Sequence, residues 1–343
     1  PQRLLGGDVS EIDRLDARSS RDIQVSPRPQ FGVRIVAASV DHQVSEKHFE
    51  RAPLRVVESA ARAANACLAA AGWPREDVEM LIHTGIYRDE FLSEPAVAAI
   101  LAGELGINHE RPRGSAKRTL ALDLADSGRG TMTALGVLTN MIRFGSIARA
   151  LVTASEIENN PPNLAQRGIA KIGSAIALER TADPAMGLGN FSFYSYPQHA
   201  ERLATWTTLR DGRPQLMVHR DDDLEELMLE CIADSVSQHL AKRRKSIVDF
   251  DRLLVSTPSS QYGEKLASRL KAESTGIITS GNSGGTDPFT SGIALIWSEA
   301  VTAPAPIAGE SWLIVSAGAG IEVACAEYRF PLEAPVIGKE PST

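Results

Sequence analysis

The pattern of apolar and polar positions changes near residue 31. Before it, mixed charges and the stretch Ser26-Pro27-Arg28-Pro29 predict an N-terminal extension with no core face. After it the pattern is regular. An apolar strand over 33–40 leads to an Ala-rich helix over 54–72, then to a strand over 78–83 and a helix over 94–106. A third strand at 119–124 runs into Asp126-Ser127-Gly128-Arg129-Gly130, from which a helix continues to about 144. Strands at 148–154 and 174–178 close this half. Alternating strands and helices predict an α/β layered sheet.

The second half repeats the first. Leu224, Leu227, Cys231, Ile232, Val236 and Leu240 fall on one helix face. The segment 249–256 aligns without a gap on 77–84, and 312–315 matches 150–153. Between them come a helix through 270, a strand at 276–279, and Asn282-Ser283-Gly284-Gly285, which mirrors the Asp126 turn and is expected to open a further helix. A last strand spans 322–330. Two tandem copies of one α/β unit follow. The organisation is an extension (1–30), an N-terminal half (31–185), a linker (186–221), a C-terminal half (222–332) and a tail (333–343). The linker carries Phe191, Phe193, Tyr194, Tyr196, Trp206, His199 and His219 without a clear period, so it is expected to be an irregular pocket wall.

Charge and cysteine usage narrow the function. The 36 Lys and Arg against 43 Asp and Glu leave a net charge of -7, with no basic field for a nucleic-acid backbone. Lys242-Arg243-Arg244-Lys245 ends a helical pattern, where cations complement the dipole. Cys67, Cys231 and Cys325 cannot all pair and have no metal-ligand spacing, which predicts buried thiols in a reducing compartment. No apolar run approaches the ~20 residues of a membrane span and no signal-peptide core occurs, so a cytoplasmic location without membrane association is expected. The acids of His219-Arg220-Asp221-Asp222-Asp223 precede a helix and suit its N-terminus rather than a metal. The Gly-rich run 280–286 lacks the Lys of a P-loop. No metal and no cofactor are predicted.

Four short motifs in order resemble the thiolase superfamily, and within it the ketoacyl-ACP synthase III group, over 31–330. Ala121-Leu122-Asp123-Leu124 through Gly130, with Ala134-Leu135 and Arg143-Phe144-Gly145, is similar to the family's strand, nucleophile turn and buried helix. The segment 256–270 resembles its catalytic-histidine loop and following helix, Gly281-Asn282-Ser283 its Gly-Asn-Thr/Ser motif, and Gly318-Ala319-Gly320 its C-terminal glycine turn. The resemblance implies a five-layer αβαβα thiolase-like fold, a homodimer, and acyl-CoA or acyl-carrier-protein thioesters as partners.

The departures from that pattern carry the chemistry. A gapless match puts Gly128 in the slot of the nucleophilic Cys, Ser256 in that of the His, and Ser259 at the Asn after it; only Asn282 of the Cys-His-Asn set is retained. Decarboxylative condensation needs a thiolate and an imidazole, so it is expected to fail. Ser127 is the hydroxyl at the helix start, read either as an acylated nucleophile or as a helix cap. Asn282 is likewise a site residue or a cap, and Asp126 a cap. His199, in the linker, is the candidate base. Gly128 and Ala319 are the candidate backbone oxyanion donors. Tyr87 and Phe91 line either a substrate tunnel or a dimer interface. Two functions follow: an acyltransferase of polyketide or fatty-acid-type secondary metabolism, or a catalytically silent subunit partnering an active ketosynthase.

Overall fold

The structure, a computed structural model, describes residues 30–42, 55–108, 118–157, 170–256, 262–272, 276–279, 287–302 and 304–332. The N-terminal extension up to residue 29, the tail, Ser259 and Asn282 lie outside the described residues. The first half runs β1 (Gly32–Asp41), α1 (Arg55–Ala71), β2 (Met80–His83), α2 (Val97–Glu104), β3 (Leu120–Asp123), α3 (Gly130–Arg143), β4 (Arg149–Glu156) and β5 (Ile172–Thr181). The second runs β6 (Gly187–Ser195), β7 (Leu203–Arg210), β8 (Arg213–Arg220), α4 (Leu224–Arg243), β9 (Arg252–Ser256), α5 (Tyr262–Leu270), β10 (Ile277–Thr279), α6 (Gly292–Thr302), β11 (Ser311–Gly318) and β12 (Glu322–Arg329).

Strand order is β10-β9-β11-β12-β6-β1-β5-β4-β2-β3, so each half contributes five strands and the halves meet where Val33 pairs with Gly187. The internal repeat is visible in the register. Met80 pairs with Ala150 in the first half, and their sequence-aligned counterparts Arg252 and Trp312 pair in the second. At the other end of the same strands, His83 pairs with Thr153 and Ser256 with Ser316.

Because side chains alternate across a strand, each sheet half buries both faces. On β4, Ala150 and Val152 pack with α3 and α6, whereas Leu151 packs with α1 and α2. On β11, Trp312 and Ile314 face the same central helices, whereas Leu313 and Val315 join α4 and α5. Five layers follow, as expected, α1/α2, sheet, α3/α6, sheet and α4/α5, with one core on both sides of the central helices and one under each outer helix pair. Among the described residues no helix is long and apolar enough to cross a membrane.

Three expectations are corrected. The linker 186–221 is mostly strand: β6 completes the second half-sheet against β12, and β7 and β8 form a separate hairpin turned at Asp211-Gly212. The helix expected directly after Gly285 is found from Gly292, behind a short 3-10 turn at Phe289–Ser291. Asp126 is not a backbone cap either: both its oxygens accept from the Arg129 side chain, and α3 begins behind Arg129.

Candidate functional site

The strand β3 delivers Leu124, whose N–H bonds to His83 O at 2.9 Å, and the chain then turns through 126–130 into α3. Ser127 sits in this turn with φ 48, a left-handed conformation that a residue with a Cβ adopts at a cost of order 1–3 kcal/mol. Its side chain does not cap α3. Instead Ser127 Oγ accepts the backbone N–H of Ala319 at 2.8 Å.

The approach of these two turns depends on glycine. A Cβ on Gly318 would lie 2.9 Å from Gly128 N and 3.1 Å from Ser127 Cβ. A Cβ on Gly128 would lie 3.1 Å from Ala317 O, so the facing strand end leaves little room for a side chain at this position. Ser316 Oγ closes the contact from below, donating to Gly128 O at 3.3 Å. Ser256, buried at the end of β9, is the cross-strand neighbour of Ser316 and packs against Gly292 at the start of α6. The structure thus gathers Ser127, Gly128, Ala319 and Ser256.

Beneath this turn is a hydroxyl-rich layer. Thr84 and Thr131 Oγ1 atoms are 3.0 Å apart, and Thr131 donates to Thr290 O at 2.5 Å. Thr290 Oγ1 donates to Glu156 at 2.5 Å, and Glu156 also accepts the Tyr87 N–H at 2.7 Å. Burial pushes the Glu156 carboxyl up to about 7, against the opposing hydrogen bonds from Thr290, Tyr87 and Ile86. Tyr87, itself buried, meets Phe289 edge-on at 4.9 Å and so belongs to this layer, whereas Phe91 is half-buried with φ 59 and no hydrogen bond or ring contact among the described residues ties it to the layer.

Among the described residues no imidazole hydrogen-bonds Ser127 Oγ. His83 is fully buried on the outer side of β2, with Nδ1 3.2 Å from Thr153 Oγ1, and burial pushes it down to about 4. His219 pairs with Asp221, and His239 stands 3.5 Å from Glu327. His199 lies in the 3-10 turn Pro197–Arg202 after β6, and no side-chain hydrogen bond or ion pair with the described residues reaches it. The backbone bond from Tyr196 N to Ile321 O, 2.9 Å, ties its turn to the end of the 318–321 turn. The three thiols are inert: burial pushes Cys67 and Cys325 up to about 12 and Cys231 to about 11. Among the described residues no group of His, Cys, Asp and Glu could hold a metal ion.

Several site residues escaped the sequence reading. Arg129 lies inside the turn 126–130, where its local pattern gives it no role. Ser316, Thr131 and Thr290 carry no local signal, because each acquires its partner only when the two halves pack.

No family model matches the chain. It is 24% identical over 294 residues to the beta-ketoacyl-[acyl-carrier-protein] synthase III of Acidiphilium cryptum (strain JF-5), covering 84% of this chain and 88% of that one. Among solved structures it is similar to the priming beta-ketosynthase of the R1128 polyketide biosynthetic pathway, with a TM-score of 0.69, 16% identity, and coverage of 88% of this chain and 97% of the other. It is also similar to Xanthomonas campestris OleA with bound lauric acid and lauroyl-CoA, with a TM-score of 0.66, 15% identity, and coverage of 86% and 98%. The chain has the thiolase-type fold of the ketoacyl-ACP synthase III structures.

Proposed function

We propose that this chain moves an acyl group from a CoA or acyl-carrier-protein thioester through an ester on Ser127, in polyketide or fatty-acid-type secondary metabolism, without decarboxylative condensation. The observation that carries this reading is the Ala319 N–H on Ser127 Oγ at 2.8 Å, on a strained strand-to-helix turn. A hydroxyl so placed is held at the turn in the resting state; on attack the Ala319 N–H would pass from Ser127 Oγ to the carbonyl oxygen, where the Gly128 N–H would join it. The C–O bond forms at Ser127 as the C–S bond breaks. His199 is the proposed base, supported by the backbone tie between its turn and Ile321, and the proton leaves with the thiol. The relatives named for acyl-carrier-protein chemistry and for bound lauroyl-CoA support a thioester donor.

The silent-subunit reading has its own support, since the nucleophile slot is a glycine narrowed by Ala317 O. A homodimer is proposed for either reading: β3 is the end strand of the sheet, and Leu120 on it is 57% exposed.

Thiol release from acyl-CoA and acyl-carrier-protein donors, assayed with and without Ser127→Ala, tests the proposal. Release that depends on Ser127 and yields no β-keto product supports transfer. Release at equal rates from both proteins, or none from either, refutes it.

A further inference from the structure

The two turns that carry the candidate donors come from different halves of the chain. Among the described residues two hydrogen bonds join them, Ala319 N–H to Ser127 Oγ and the longer Ser316 Oγ–H to Gly128 O, beside the close glycine approach of Gly318 to Gly128. The glycine contact limits how near the turns can come but not how far apart they can move, and an oxyanion site works only when its donors are held to within about 0.5 Å.

Arg129 spans the gap. Its Nε donates to Asp126 Oδ2 at 3.0 Å and its Nη2 to Asp126 Oδ1 at 3.2 Å, on the first turn. The same Nη2 lies 2.7 Å from Glu322 Oε2, at the foot of the second. Both carboxylates are anchored. Thr133 Oγ1, in the first turn of α3, donates to Asp126 Oδ2 at 2.5 Å, and Ser195 Oγ on β6 donates to Glu322 Oε1 at 3.2 Å. The guanidinium is 5.6 Å from the Phe193 ring centroid, and the Arg129 side chain is only 12% exposed. Its Nη1 is buried and finds no hydrogen-bond partner among the described residues, so the side chain keeps this pose with that donor unpaired there.

We propose that Arg129 is a positioning residue: by bridging Asp126 and Glu322 it sets the distance between the Gly128 and Ala319 N–H donors. The planar fork can serve two carboxylates in one plane, and a lysine ammonium in its place reaches one. The role in catalysis rests on the acyl-transfer reading; the role in holding the turns does not.

Hydrogen exchange followed by mass spectrometry on the full chain separates the two. In Arg129→Met and Arg129→Lys, exchange over 316–322 rises about tenfold while exchange over 149–156, a buried core strand, stays within about twofold of the parent. Glu322→Gln, which alters the other end of the bridge at nearly constant shape, gives a smaller rise over the same residues. Unchanged exchange over 316–322 in Arg129→Met overturns the proposal, and so does a rise shared equally by 149–156, which marks general destabilisation. Where the parent protein transfers acyl groups, Arg129→Met lowers kcat about tenfold and leaves KM within about twofold. If the parent transfers none, the acyl-transfer reading fails and the exchange result still decides the role of Arg129.

Discussion

Ser127 Oγ accepts the Ala319 N–H at 2.8 Å although the two residues are 192 positions apart. The bond exists because the two copies of the unit pack together: β3 of the first half delivers one turn and β11 of the second the other.

Gly318→Ala tests the close approach. Its Cβ would stand 2.9 Å from both Gly128 N and Ser127 Oγ, so the turns must separate. A destabilisation of about 1–3 kcal/mol is expected. Calorimetry reads this as a lower Tm, and thiol release should fall with it.

Gly128→Cys restores the residue type expected in the nucleophile slot without restoring condensation. The new Cβ meets Ala317 O at 3.1 Å, and Ser256 supplies no imidazole. Assay of β-keto product should show none; its formation would mean that the slot is wider than the structure shows.

Glu156→Gln should change how stability varies with pH. The folded-state carboxyl, at about 7, lies above its ordinary value of 4.5, so the folded protein holds a proton that the unfolded chain releases. The associated stability is fully present below about pH 4.5 and is lost as pH rises through 7, a loss of order 3 kcal/mol for one buried group. His83, pushed down to about 4, acts oppositely and costs stability as pH falls from 6.5. The difference between parent and Glu156→Gln in denaturant midpoints across pH 5–8 isolates the first effect, and a difference independent of pH would contradict it.

Leu120→Lys addresses the proposed dimer. A charge on this exposed position of the end strand disfavours pairing with a second copy. Sedimentation should show a shift from dimer to monomer with an unchanged thermal transition of the monomer fold.

Much of the fold was legible because the repeat was legible. Aligning 249–256 on 77–84 and 312–315 on 150–153 anticipates the pairing of Met80 with Ala150 and of Arg252 with Trp312. The linker was misread for a physical reason. In β6 glycines and Asn190, which has φ 52, interrupt the alternation, while β7 and β8 are too exposed to show an apolar period. The Asp211-Gly212 pair, with φ 51 and 73, was a usable hairpin signal. At the site, local rules pointed to caps for Ser127 and Asp126, but the helix starts behind Arg129, and both side chains find partners elsewhere. Glu156 had no local signal at all, since Tyr87 and Thr290 reach it from 69 and 134 positions away.

The central claim is an ester on Ser127, and intact-protein mass after incubation with acyl-CoA and acyl-carrier-protein donors tests it most directly. The account predicts an acyl increment on the parent protein that is absent from Ser127→Ala. An increment that persists in Ser127→Ala, or no increment with any donor, would contradict it.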